Sequence, residues 1–238
     1  RRSSDLGCKI GTPAKQTAVL TGKTRVFIEN GHVIHTEKLV WDGRKRRFRI
    51  SGAVSLTGRR LTVSGKGFSG WAEKKYYCLD RHDKTILENR FFFRKMESGR
   101  RMKGVDTRGK TILRNRGKVE YYGDSGRFVY RKDVRVSNRN GLLTCEILTI
   151  VFEQGMAEVR KLKAEKDVTF TARENDFRAT SEIIEVFADT GKIIIKKTGN
   201  IVPVVYINNN RKSTADKFVY NTRTGFLEVV NVESIKKE

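Results

Sequence analysis

The chain is poor in residues that staple or punctuate a fold. Its 238 residues hold two prolines, three cysteines and three histidines. Cys8, Cys78 and Cys145 are an odd number at wide spacing, with no C-x-x-C, so the sequence encodes neither a disulfide framework nor a zinc site. His32, His35 and His82 are too scattered for a metal cluster. No apolar run approaches the roughly 20 residues of a membrane-spanning helix. The opening "RRSSDLGCKIG" carries no hydrophobic signal region. Acids are also short: 27 Asp and Glu stand against 50 Lys and Arg, a net charge of +23. Cationic neighbours depress carboxylate pKa values, the wrong direction for a general acid. No G-x-S-x-G elbow and no spaced Ser-His-Asp set is present. The expectation is a non-enzyme without a cofactor. The charge excess points to an anionic partner: nucleic acid, a membrane surface or a phosphorylated ligand.

What the chain has is alternation. "RFRI", "AVSLTG", "RLTVSG", "RFVYR", "DVRVS", "DVTFTA", "KFVYN" and "FLEVVN" each alternate apolar and polar residues between Gly, Asn, Asp or Ser. That is the pattern of half-buried antiparallel strands joined by tight turns. Turns are expected at 42–43, 125–127, 138–141, 189–191 and 207–212. Pro203 interrupts "IVPVVY", which suggests an edge strand or a bulge. The best helical candidate, 154–166, also alternates and reads as strand. "RKMESGRRMKG" reads as a loop. The spacing predicts an all-β chain of roughly sixteen to twenty short strands.

The second half repeats itself. Thr144, Thr180 and Thr214 each start a Thr–small–acid triplet ("TCE", "TSE", "TAD"), then an apolar–aromatic strand, then a turn glycine at constant offset. Such a repeat suggests stacked β units that bury their faces on their neighbours. A looser copy starts at "TEKLVWDG".

Two glycine motifs are decoys. "GVDTRGKT", 104–111, fits the P-loop pattern, but strand-like sequence follows it where a helix is required. It reads as a basic turn. "GKGFSG", 65–70, matches G-x-G-x-x-G but lies among alternating strands instead of opening a helix. Nucleic-acid binding has no signature motif here, and the aromatics mostly occupy the apolar phase of the strands.

Residues 31–68, "GHVIHTEKLVWDGRKRRFRISGAVSLTGRRLTVSGKGF", resemble the LptC family of periplasmic lipopolysaccharide export proteins. "GKVEYYGDSGRFVYRKDVRVS", "ATSEIIEVFADTGKIIIKKTGNIVPVVY" and "STADKFVYNTRTGFLEVV" resemble LptA and its OstA-like domain. The resemblance implies a V-shaped antiparallel β-jellyroll whose two sheets enclose an apolar groove for the acyl chains of lipid A. It implies a periplasmic location, with any inner-membrane anchor outside this chain. The implied partners are lipopolysaccharide, an inner-membrane ABC transporter and other Lpt jellyrolls added end to end by strand pairing; nucleic acid is not expected. It divides the chain into a leader (1–20), an LptC-like region (21–75), an irregular linking region (76–118) and OstA-like repeats (119–238) continuous with the first.

The alternation assigns the inward phase to Phe48, Ile50, Val54, Leu56, Leu61, Val63, Phe128, Tyr130, Val134, Val136, Ile150, Phe152, Val168, Phe170, Ile193, Ile195, Phe218 and Tyr220. Two readings stay open for them, ordinary core or lipid groove. Two rivals also stand beside lipid transfer: a β protein that binds nucleic acid or another polyanion, and a β-solenoid acting on polysaccharide.

Overall fold

The computed structural model describes residues 7–10, 16–28, 31–88, 110–138, 141–153, 158–172, 177–207, 211–221, 224 and 226–237. The strands are β1 (Gly7–Ile10), β2 (Thr17–Ile28), β3 (His32–Asp42), β4 (Arg47–Thr57), β5 (Leu61–Trp71), β6 (Tyr76–Leu87), β7 (Thr111–Arg114) and β8 (Val119–Tyr122). There follow β9 (Arg127–Asn138), β10 (Gly141–Phe152), β11 (Val159–Ala172), β12 (Phe177–Phe187), β13 (Lys192–Lys196), β14 (Val204–Ile207), β15 (Arg211–Asn221) and β16 (Leu227–Lys237). All pair antiparallel in one large sheet. Among the described residues sixteen strands fill fourteen rungs. β7 and β8 share one rung between β6 and β9, and β13 and β14 share another between β12 and β15. The path is then a plain meander from β1 to β16.

The expected short strands are halves of long ones. "RFRI" and "AVSLTG" fall within β4 and its exit, and "RFVYR" and "DVRVS" are both β9. Each long strand breaks register near its middle, as between Cys145 and Ile147 in β10 or Glu165 and Val168 in β11. Lys132–Asp133 and Lys166–Asp167 have left-handed φ values of 49 to 70° at these breaks. In sequence such residues look like a turn. Here they form a bulge, which bends a strand without ending it. The broken rungs confirm the bend: the first half of β9 pairs with β8 and the second with β7.

The bends line up into a crease, and the halves form two facing layers. The first layer carries the hairpin turns at 43–46, 72–75, 123–126 and 188–191; the second carries the turn at 58–60. Contacts cross between them. Phe177 of the second layer stacks on Tyr220 of the first at 5.0 Å, and the Thr85 and Tyr130 hydroxyls hydrogen-bond at 3.1 Å.

The triplet repeat is the crease seen in sequence. Thr144, Thr169 and Thr180 are cross-strand neighbours on the outer face of the second layer, and Val204 links Thr180 to Thr214. The small residues Cys145, Ser181 and Ala215 point inward where the layers converge, and the acids lie at the bulges. Bulges leave backbone groups unpaired, and buried hydroxyls take them up. Ser181 Oγ donates to the Ile183 or Lys196 carbonyl and accepts from the Ile183 N–H. In the N-terminal half Thr36 does the same with Lys38 and Ala53.

Other expectations resolve here. Val159–Ala172 is strand, as the alternation in 154–166 suggests, while 154–157 lies outside the described residues. β14 is not an edge: it is flanked by β12 and β15, and Pro203 sits just before it, where its missing N–H removes no ladder bond. "RKMESGRRMKG" and residues 104–109 of the P-loop-like stretch lie outside the described residues. Thr111, which closes that motif, is buried and begins strand β7, so the helix a phosphate loop needs is missing. Gly65 and Gly70 lie in strand β5. A Cβ on Gly70 would meet the Tyr77 and Phe48 rings at 2.5 and 2.6 Å.

Candidate functional site

All eighteen predicted inward residues are buried in a single apolar cluster between the layers. The first layer supplies Phe48, Ile50, Phe128, Tyr130, Ile150, Phe152, Ile193, Ile195, Phe218 and Tyr220. The second supplies Val54, Leu56, Leu61, Val63, Val134, Val136, Val168 and Phe170. Sequence reasoning missed Phe68, Tyr77, Tyr121, Leu143, Leu148, Phe177 and Ile184, which are equally buried. The alternation in "VEYY" and "ILTIVF" held the signal for Tyr121 and Leu148.

The interior changes character along its length. Across β4 to β10 a ribbon of rings runs Phe48–Phe68–Tyr77–Tyr121–Phe128–Phe152, with successive centroids 4.6 to 6.2 Å apart. A small cavity of about 10 Å³ lies against it, lined by Val54, Leu56, Val63, Phe68, Leu79, Val119, Tyr121 and Phe128. That is about one water-sized sphere. From β11 onward the ring contacts shrink to Phe170–Phe177–Tyr220, and the aliphatic Leu162, Ile184, Ile193 and Ile195 pack beside them, at most 2% exposed. The layers are closed on each other, so an acyl chain enters only if they part.

Three features bear on such parting. Opposite the crease, Arg60 at the rim of the second layer pairs with Glu158 at the rim of the first, 2.9 Å apart. Both are largely exposed, so the pair contributes little, on the order of 0–1 kcal/mol. At the end of the sheet, Val232 and Ile235 of β16 lie opposite the inward residues Ala215 and Ser213, yet are 51% and 65% exposed. At the other end Val26 and Ile28 are only partly covered. The apolar interior therefore runs out at both ends without a polar cap among the described residues.

One polar chain crosses the core at the crease. His82 Nε2 meets Thr85 Oγ1 at 2.9 Å, and Thr85 meets the Tyr130 hydroxyl. Asn115, in the gap of the broken rung, donates to the Arg131 carbonyl at 2.7 Å. Burial pushes the His82 pKa down to about 4, against the raising influence of Asn115 and the Lys84 backbone, and pushes the Tyr130 hydroxyl up. Burial likewise drives the Cys145 thiol up to about 12, and Cys145 and Cys78 are both free and buried. A thiol held protonated is a poor nucleophile. Among the described residues no His, Cys, Asp and Glu side chains gather as metal ligands.

The outer face of the first layer carries a feature that the alternation did not show. Trp71, Tyr76 and Tyr122 are successive cross-strand neighbours and point outward. Arg47 lies over the Trp71 ring at 4.2 Å and Arg127 over the Tyr122 ring at 4.4 Å. The sequence places the aromatics mostly in the apolar phase, and these three are exceptions to it. In "KKYY" the inward phase takes Tyr77, so Tyr76 must face out.

No family model matches the chain, and no curated protein matches its sequence. Among solved structures, LptH of Pseudomonas aeruginosa, "the LptA homologous periplasmic component of the conserved lipopolysaccharide transport device", matches with a TM-score of 0.44 at 15% identity. The match covers 54% of this chain and 90% of LptH.

Proposed function

We propose that this chain binds and passes on lipopolysaccharide or a similar anionic lipid, with the acyl chains between the two layers. The observation that carries the reading is the apolar interior, continuous through the sheet and uncapped at either end. Each buried CH₂ contributes roughly 0.8 kcal/mol, enough to hold a lipid once the layers open. Rim cations such as Arg60, once released from Glu158, suit phosphates. The exposed edge of β16 suits strand addition by a further jellyroll, as the sequence resemblance implies. On this reading the chain works in the periplasm as part of a bridge fed by an inner-membrane transporter. The LptC-like and OstA-like stretches, 21–75 and 119–238, then belong to one conduit.

A photo-crosslinking residue at Ile195, Ile150 or Phe128 tests the interior directly. Adducts with lipopolysaccharide from these positions support the reading; none from any of them would overturn it. The net charge of +23 favours one rival, a polyanion binder. Steep salt dependence of DNA binding with no lipid adduct would select that rival.

A further inference from the structure

We infer that the outer face of the first layer is a docking surface for an anionic bilayer, made by one row of side chains that crosses the sheet. The row begins with Arg47 on Trp71 and continues through Tyr76 and Tyr122 to Arg127. Val151 links Arg127 to Lys161, which lies 4.8 Å over the Phe187 ring, and Lys192 and Asn221 follow. It ends at Phe226, whose carbonyl accepts from Asn221 N–H and whose side chain is 66% exposed. Every step is a direct neighbour, so the row is a straight line across strands from β4 to β16, beside the hairpin turns of that rim.

Three observations point to a ligand. First, Arg47 and Arg127 have no carboxylate within 4 Å among the described residues, although Arg46, Lys75 and Arg131 nearby do. Each guanidinium lies over a ring, and its buried Nε has no hydrogen-bond partner. A guanidinium fixed this way keeps its N–H edge for a phosphate and loses little freedom on binding it. Second, the cations are spread along the row: Arg127, Lys161, which also pairs with Glu185 at 2.6 Å, and Lys192 stand two strands apart, about 10 Å. That suits a field of separate headgroups. Third, the row mixes partly buried Trp and Tyr with cations and closes on an exposed Phe226, the composition of a bilayer interface. Single-stranded nucleic acid would need open ring faces for its bases, and here Arg47, Arg127 and Lys161 each cover a face of the Trp71, Tyr122 and Phe187 rings.

The surface is separate from the interior, so its test is independent of lipid uptake. Flotation with phosphatidylcholine vesicles, with and without phosphatidylglycerol, measures docking. The wild-type chain should float only with anionic vesicles, and salt should weaken it. R47Q/R127Q should bind them roughly 25-fold more weakly, from about fivefold per arginine. F226S should weaken binding without changing its salt dependence. R114Q/R135Q removes the same charge from the outer face of the second layer and should bind like wild type; thermal melts check that each variant is folded. Equal loss in R114Q/R135Q, or none in R47Q/R127Q, would overturn the assignment. So would binding of an oligothymidylate strand that depends on Arg47 and Arg127 while vesicles fail to bind.

Discussion

The two halves of the interior solve one packing problem with their rings connected differently. Across β4 to β10 rigid rings stack in a ribbon and leave a small cavity beside them. Across β11 to β15 the ring run is shorter, Phe170–Phe177–Tyr220, and Ile184, Ile193 and Ile195 are buried almost completely among branched aliphatic chains. Rings bury more area per residue but fill space in plates, and plates leave gaps at their edges. Branched chains interlock. If the layers part to admit a lipid, the cavity beside the ribbon is slack that already exists.

The largest expected effect is in the tight half. Ile195→Ala should cost about 4 kcal/mol, since the site is fully buried and close-packed neighbours relax only partly. Denaturant melts check it, and a cost under about 1 kcal/mol would mean that half is loose too. Next comes acid, which acts on the aromatic half. His82 titrates near 6.5 when unfolded and near 4 when folded, so its contribution is intact above 6.5. As pH falls from 6.5 to 4 the unfolded chain takes up a proton that the folded chain refuses, costing up to about 3 kcal/mol. Melting temperatures across that range should drop in the wild type and flatten in His82→Gln; parallel curves would remove His82 from the account.

The crease should treat both halves alike. Ser181→Ala and Thr36→Val each strand the same backbone groups, so each should lose about 1–2 kcal/mol. Unequal losses would show that the creases differ. The smallest effect separates the interiors most finely. Val54→Ile adds a methyl beside the cavity and should be neutral or gain about 0.5 kcal/mol. Val168→Ile adds one where the side chain is 1% exposed and should lose about 1 kcal/mol. Equal values at the two sites would erase the distinction.

The inward phase was legible because it depends only on period-2 alternation. The Thr144, Thr180 and Thr214 repeat was legible because the crease demands the same residues at each passage. Strand length was not legible: Lys132–Asp133 and Lys166–Asp167 have turn chemistry, and only pairing on both sides reveals a bend within one strand. The outer row was hidden for a related reason. Arg47 and Trp71 are 24 positions apart and meet only through register, which local pattern does not record. Whether the interior is core or conduit is not a matter of pattern at all, since both require the same buried residues.

Each rung pairs only with the rungs before and after it in the chain, apart from the sharing at the two split rungs. Length is therefore a free variable. Inserting or deleting one hairpin would change the span by about 10 Å and leave every other rung with its neighbours. Fourteen rungs set about 13 strand spacings, roughly 60 Å end to end before twist is counted. In a lineage that had to match a gap of a given width, such a meander could be cut to measure one hairpin at a time.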